Sequence, residues 1–438
     1  MAEVIQTEEI IKKQFNVRVD NKWAFPGSRS IDNLTHGYHR YPAKFIPQIV
    51  KKLIETYTNP TDKIADVFAG CGTTLVESKI HGRRSVGVDI NPVAQLITQA
   101  KINAIDPKLL DESFASLKST FELYEPNIQY AVDRHARIDY WFREKEKNEI
   151  AFIYSQILLL ENNNLRIFFL CALSNILKNC SRWLQRGTKP QIDPEKKIAE
   201  PFSTFNAQAK KMIKKNAVYY KELQQNNYLN IDCEIRLADA RKTRIRSNSV
   251  GAIITSPPYV TSYEYADIHQ LTAYWFEYIT DLTTFRKSFI GTFYSNKKST
   301  KTKSKTARAI IDKLTDIDRR SACEVSNYFN DMCRVAKEMK RILNPGGVIC
   351  LVVGNTTMKN IKIKAAEAFA EILLLEDIKI EKIIKRKIPH KINPTIRDRS
   401  SGKFTKLSNE NKKLVYPEEF IIIARKKKNV TRISRKKN

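Results

Sequence analysis

Acidic residues are the scarce class in this chain of 438 residues: 47 Asp and Glu stand against 76 Lys and Arg, a formal net charge of +29 at pH 7. That basic excess favours a polyanionic partner, whose affinity falls steeply with salt as neutralised phosphates release counterions. Cysteine is sparse too. The 7 present are scattered, with no Cys-x-x-Cys pair, which excludes a disulfide framework and a structural zinc and suits a reducing compartment. The 6 histidines show no metal-ligand spacing, so no metal is expected. No run of about 20 apolar residues exists, so no membrane-spanning helix is expected. Met1 to Phe15 mixes polar and charged residues and has no leader-like apolar stretch. There is no internal repeat and no nuclease motif. Hydrophobic residues make up 42%, enough for a substantial core.

The informative segments are four. The first is Ser256-Pro257-Pro258-Tyr259, entered through the apolar run Gly251-Ala252-Ile253-Ile254-Thr255. An aryl amine is a poor nucleophile because its lone pair is delocalised into the ring. A Ser hydroxyl and the carbonyl of the first Pro are acceptors for its two hydrogens and draw the nitrogen toward tetrahedral geometry. Two prolines fix that carbonyl, each setting φ and removing a donor, and Tyr259 offers a flat face to an extruded base. The plain alternative is a Pro-rich turn ending a buried strand.

The second segment is Ile64-Ala65-Asp66-Val67-Phe68-Ala69-Gly70-Cys71-Gly72-Thr73-Thr74, a short strand, a Gly-x-Gly turn and a helical pattern. Ser85-Val86-Gly87-Val88-Asp89 follows as a second strand. Its terminal acid lies 19 residues after Gly70, close to the ~20 of a βαβ unit whose acid reads ribose hydroxyls. The third is Tyr41-Pro42-Ala43-Lys44-Phe45, ahead of a helical stretch from Ile46 to Tyr57; the plain reading is a helix N-terminus. The fourth is Ile235-Arg236-Leu237-Ala238-Asp239-Ala240, a third strand ending in an acid.

Together these segments resemble the S-adenosylmethionine-dependent DNA amino-methyltransferases. The resemblance implies an α/β, Rossmann-like class I methyltransferase fold: a seven-stranded, mostly parallel sheet with a C-terminal antiparallel pair and a helical insert. It implies S-adenosylmethionine as cofactor and S-adenosylhomocysteine as product. Ser256, Pro257, Pro258 and Tyr259 would form the catalytic loop. Asp66, Phe68, Gly70, Gly72 and Thr73 would line the methionine and ribose side, Asp89 would hold the ribose hydroxyls, and Asn91 would lie beside them. Tyr41, Pro42, Lys44 and Phe45 would pack on the methionine tail, and Asp239 with Ala240 would meet the adenine. Ser at the first loop position resembles the cytosine-N4 enzymes; adenine-N6 methylation is the first alternative. A catalytically idle DNA-binding protein and an RNA base methylase are the others. Cytosine-C5 chemistry needs a thiolate, normally on a Pro-Cys dipeptide, and none occurs; Cys71 reads as a small packing residue. The implied partners are duplex DNA and a cognate restriction endonuclease, with no membrane, in a cytoplasmic, nucleoid-associated prokaryotic setting.

The expected organisation is 1–100 as the N-terminal segment and first half of the core, 101–233 as a helical insert and candidate DNA-recognition part, and 234–285 as core strands with the catalytic loop. Residues 286–326 form a basic insert and candidate DNA clamp, 327–424 the rest of the core, and 425–438 a basic tail. About 140 residues lie between the second and third strands, where a compact crossover needs a dozen or so. Within the first insert, apolar residues from Asn148 to Trp183 recur every three or four positions, as helix-packing faces do. Arg182-Trp183 and the Gly/Pro-bounded loop after them suit nucleic-acid contact, or are simply solvated. Asn296 to Arg308 is basic without apolar period and reads as a mobile phosphate-clamping loop; Arg397 and Arg399 lie in a second polar loop that suits DNA contact.

Overall fold

The apolar run before the Ser-Pro-Pro-Tyr is buried on both faces, as a central parallel strand must be, and it forms the middle of the sheet. The computed structural model describes residues 11, 13–25, 32–131, 135–185, 190–260, 264–292, 294, 302–388, 396–398, 400, 405, 408–414 and 418–428. Seven strands make the main sheet: β1 (Ile64–Asp66), β2 (Ser85–Asp89), β3 (Cys233–Leu237), β4 (Val250–Thr255), β5 (Leu343–Val353), β6 (Ile378–Lys387) and β7 (Glu418–Lys426). Their order is β3-β2-β1-β4-β5-β7-β6. The pairs among β1 to β5 are parallel, whereas β7 runs antiparallel to both β5 and β6. The order reverses at β1, so the ends of β1, β2 and β4 meet at a topological switch point, where open α/β sheets bind ligands.

The two-residue period of β4 distributes its side chains. Ala252 and Ile254 face the helix Pro47–Tyr57, whose Ile49, Val50, Leu53 and Ile54 cover that side. Ile253 faces the helix Arg319–Ile342, through Val325, Phe329, Met332 and Met339. Between β4 and β5 the register jumps from Val250–Leu343 to Ala252–Val348. Pro345-Gly346-Gly347 thus forms a bulge inside β5, with Gly346 at φ +79°.

The 101–233 insert is helical: Pro107–Ser119, Ala136–Trp141, Glu144–Leu158, Asn163–Ile176 and Pro201–Gln225. Its apolar faces share one cluster with Val93, Leu96 and Ile97 of the helix Pro92–Ile102 and with Leu271 and Trp275 of the helix Tyr265–Trp275. Trp183 is 2% exposed and stacks on Trp141 at 4.7 Å, so it is a core residue and not a nucleic-acid contact. Arg182 spends one guanidinium nitrogen on the Asp139 and Tyr140 carbonyls; residues 186–189 of that loop lie outside the described residues.

The expected basic loop is only partly a loop. Its positions 296–301 lie outside the described residues, but Lys305–Thr315 is a helix capped by the Ser304 hydroxyl. Ala307, Ile310 and Leu314 supply its buried stripe, most of which lies beyond the basic stretch. Arg397 falls in a short strand, Ile396–Asp398, paired with Lys412–Leu414; Arg399 and the tail 429–438 lie outside the described residues. Near the N-terminus Val19 bridges to Lys385, the Asp20 amide donates to the Lys385 carbonyl at 2.8 Å, and Trp23 is buried against the sheet. No helix among the described residues is long and apolar enough to cross a membrane.

Candidate active site

The turn after β1 wraps around one carboxylate. Gly70 and Gly72 have φ of +50° and +78°, left-handed values that glycine adopts without steric cost. The Gly70 amide donates to Asp89 Oδ2 at 2.8 Å, and the Asn91 amide donates to Asp89 Oδ1 at 2.9 Å. Each carboxylate oxygen therefore keeps a lone pair for a further donor, as two vicinal hydroxyls would require. Burial pushes the Asp89 carboxyl up to about 6, with the charge of Asp66 adding to the rise and the two amide bonds opposing it. Thr98 closes the other side of the loop through its hydroxyl, 2.9 Å from the Gly70 carbonyl. A Cβ on Gly72 would lie 2.6 Å from Thr98 Cγ2. The loop fits a nucleoside cofactor by this cradle and by the donor-poor face of Asp89. Gly72→Ala is expected to raise the S-adenosylmethionine Kd at least about tenfold, since left-handed strain of ~1–2 kcal/mol joins the clash. Calorimetry checks it, and an unchanged Kd would mean that Thr98 yields.

Asp66 is almost wholly buried and has a different task from Asp89. Its Oδ1 accepts from the Phe68 amide at 3.1 Å and from the Thr255 hydroxyl at 2.6 Å. It thereby ties the turn after β1 to the last residue before the Ser-Pro-Pro-Tyr. Asn91 is likewise occupied: Oδ1 caps the helix Pro92–Ile102 through the Val93 amide, and Nδ2 sits 2.6 Å from His269 Nδ1. Burial holds His269 down to about 3, so the neutral ring accepts this bond and stays uncharged.

The Ser-Pro-Pro-Tyr loop is held from three directions. Ser256 Oγ donates its only proton to the Val352 carbonyl of β5 at 3.0 Å, which leaves its lone pairs as the remaining hydrogen-bonding capacity. The Pro258 carbonyl accepts from the buried Tyr328 hydroxyl at 2.7 Å. Tyr259 donates to Glu419 Oε1 at 3.0 Å, and its ring lies so close to Gly354 that a Cβ there would stand 2.8 Å from it. Among the described residues none donates to the Pro257 carbonyl, the other expected amine acceptor.

The remaining expected residues divide. Tyr41 lies against Gly70, stacks on Tyr265 at 5.7 Å and tilts over His269 at 5.0 Å. Pro42 is in the adjoining turn, and Phe68 packs on the cluster beneath the sheet. Thr73 is buried at the start of the helix Thr73–Ile80, its hydroxyl 3.9 Å from Cys71 Sγ. Lys44 pairs with Asp32, and Phe45 packs under the helix Pro47–Tyr57. Asp239 is gripped by Arg241, with Nε 2.9 Å from Oδ1 and Nη2 2.6 Å from Oδ2. Arg241 is itself held by Asp331 at 2.9 Å. Ala240 is buried beside Val260. Thr98, Tyr328 and Glu419 join the site from distant segments and carry no motif, and Thr255, although next to Ser256, has no sequence signal for its bond to Asp66. Tyr263, in the aromatic-rich stretch after the loop, lies outside the described residues. No group of three or more His, Cys, Asp or Glu among the described residues could hold a metal.

A family model described as DNA methylase, for the N6/N4 enzymes, matches residues 3–100 and 250–438, which leaves out β3 and the Asp239 to Arg241 stretch after it. The type II methyltransferase M.MvaI of Kocuria varians is 28% identical over 395 residues, 83% of this chain and 86% of that protein. The type II methyltransferase M.BsoBI of Geobacillus stearothermophilus is 25% identical over 262 residues, 54% of this chain and 51% of that protein. A solved S-adenosylmethionine-dependent methyltransferase from Methanosarcina mazei covers 89% of this chain and 99% of its own at 9% identity, with a TM-score of 0.30.

Proposed function

The chain belongs to the N6/N4 DNA methylase family, and on that premise we propose that it methylates the exocyclic N4 amino group of cytosine in duplex DNA, after the base has left the helix. The observation that carries this reading is the Ser256 hydroxyl, whose proton is committed to the Val352 carbonyl at 3.0 Å. With that proton spent, the oxygen is free to accept one amine hydrogen, and the Pro257 carbonyl takes the other. The nitrogen lone pair is thereby localised. S-adenosylmethionine, when bound, supplies the electrophilic methyl group. Asp89, Gly70 and Gly72 hold its ribose side, Tyr41 covers the loop from above, and Tyr259 stacks on the base. The choice of cytosine rests on serine at the first loop position. Asp239 takes part in this reading only if Arg241 lets go of it or shares it.

Expression in a host free of DNA methylation, followed by mass spectrometry of its nucleosides, tests the reading. N4-methylcytosine is the expected product. N6-methyladenine would overturn the base choice and keep the chemistry, and an unmodified genome would overturn the function. The basic surface serves duplex DNA binding in a cytoplasmic, nucleoid-associated setting, with a cognate restriction endonuclease as the other half of the system. A protein that neutralises 6–10 phosphates loses roughly 10³–10⁵ in affinity between 50 and 200 mM salt. A loss in that range is expected from fluorescence anisotropy with a duplex probe, and an affinity flat in salt would remove the phosphate-binding role.

A further inference from the structure

Tyr259 is anchored outside its own loop. Arg386 on β6 is completely buried, at 0% exposed, and stands directly across the β6–β7 ladder from Glu419. One oxygen of Glu419 takes the Arg386 guanidinium and the other takes the Tyr259 hydroxyl at 3.0 Å. Arg386 Nε donates to the Trp23 carbonyl at 2.7 Å. Trp23 belongs to the N-terminal segment that lies along the edge of β6 through Val19 and Asp20. An unbroken chain of polar contacts therefore runs from the outermost strand to the catalytic loop.

The sheet does not need this ion pair. The β6–β7 ladder spans nine registered positions through backbone bonds, and a buried ion pair is replaceable by apolar residues with little loss, because desolvation offsets its attraction. Arg386 Nη2 has no partner among the described residues, a further cost that a hydrophobic pair would avoid. What the pair supplies and an apolar pair cannot is a fixed anionic acceptor for a phenol. Tyr259 is thus held at both its ring, which rests on Gly354, and its hydroxyl.

We propose that Glu419 and Arg386 are positioning residues that set the plane in which Tyr259 meets the extruded base. This rests on the reading of residues 256–259 as the base-binding loop.

The test compares Tyr259→Phe, the paired replacement Arg386→Met with Glu419→Leu, and all three together. Single-turnover methylation is measured on genomic DNA from a methylation-free host with labelled S-adenosylmethionine. Loss of one hydrogen bond to a charged group predicts a fall of about tenfold for Tyr259→Phe and for the pair. The combination is expected to fall no further, because all three act through one tether. The cofactor Kd, by calorimetry, is expected to stay within about twofold. In protein labelled with 3-fluorotyrosine, the Tyr259 resonance, assigned by its absence in Tyr259→Phe, shifts or broadens in the pair variant. Rates that multiply independently, or a pair variant with parental rate and an unmoved fluorine signal, overturn the proposal. If the parent itself methylates no base, the functional reading falls, and the fluorine signal alone decides whether the tether exists.

Discussion

Ser256→Ala is expected to lower single-turnover methyl transfer about a hundredfold, the loss seen when one preorganised partner of a developing charge is removed, with cofactor affinity within about twofold of the parent. The amine becomes nucleophilic only as its hydrogens are drawn away from the ring plane, and in the proposed reaction Ser256 accepts one of them. It is partly buried at the end of the central strand, so water replaces it poorly. The variant also leaves the Val352 carbonyl without its donor, a stability loss of ~1 kcal/mol that a thermal melt reads separately. Ser256→Asn returns an acceptor oxygen and is expected to recover part of the rate. A Ser256→Ala protein within about threefold of the parent would transfer the whole acceptor role to the Pro257 carbonyl.

Asp89→Asn is expected to weaken S-adenosylmethionine binding roughly tenfold to a hundredfold at pH 8, since hydrogen bonds to a charged acceptor are the stronger kind. The pH dependence carries the clearer signature. The Asp89 carboxyl is pushed up to about 6, first by burial and then by the nearby Asp66, against the opposing Asn91 and Gly70 amides. Tyr41, which also faces it, is held above its ordinary range by burial and stays neutral. Below about pH 6 Asp89 takes up a proton and loses acceptor strength, so cofactor affinity falls on acidification, and binding near pH 6 releases a proton. For stability the sign is opposite. An unfolded aspartate titrates near 3.9, so the native state binds this proton more tightly and is penalised above about pH 6. As pH falls from about 6 toward 4, the cofactor-free protein regains that loss from this group. Calorimetry in buffers of different ionisation enthalpy detects the proton release. If Asp89→Asn keeps the parent's pH profile, the titrating group is elsewhere.

The segments legible in the sequence are those whose signal is local. A buried apolar strand, two glycines that tolerate positive φ, an acid at the end of the next strand and a Pro-Pro loop each occupy fewer than a dozen residues. The sheet followed from them because parallel strands read as short apolar runs between helical patterns, and the antiparallel pair formed where expected. What stayed hidden joins distant positions. Asp66 meets Thr255 across 189 residues, Ser256 meets Val352 across 96, and Tyr259 meets Glu419 across 160. Such contacts are set by strand order, which the spacing of motifs does not encode. Asp239 illustrates the converse: Arg241 stands two positions away in plain view, yet only the folded chain shows the guanidinium closing on the carboxylate. Trp183, in a basic loop, has the composition of a contact residue and the surroundings of a core residue.

Helix Pro92–Ile102 belongs to two structures at once. Asn91 and Thr98 brace Asp89 and the Gly70 turn, while Leu96, Ile97 and Ala100 seal the helices of the 101–233 insert into a single apolar cluster that reaches Trp275. The insert is therefore not an exchangeable cassette. Excising it would strip the packing from the helix that braces the turn after β1. An engineer who wishes to replace the insert has to carry the underside of that helix along with the replacement.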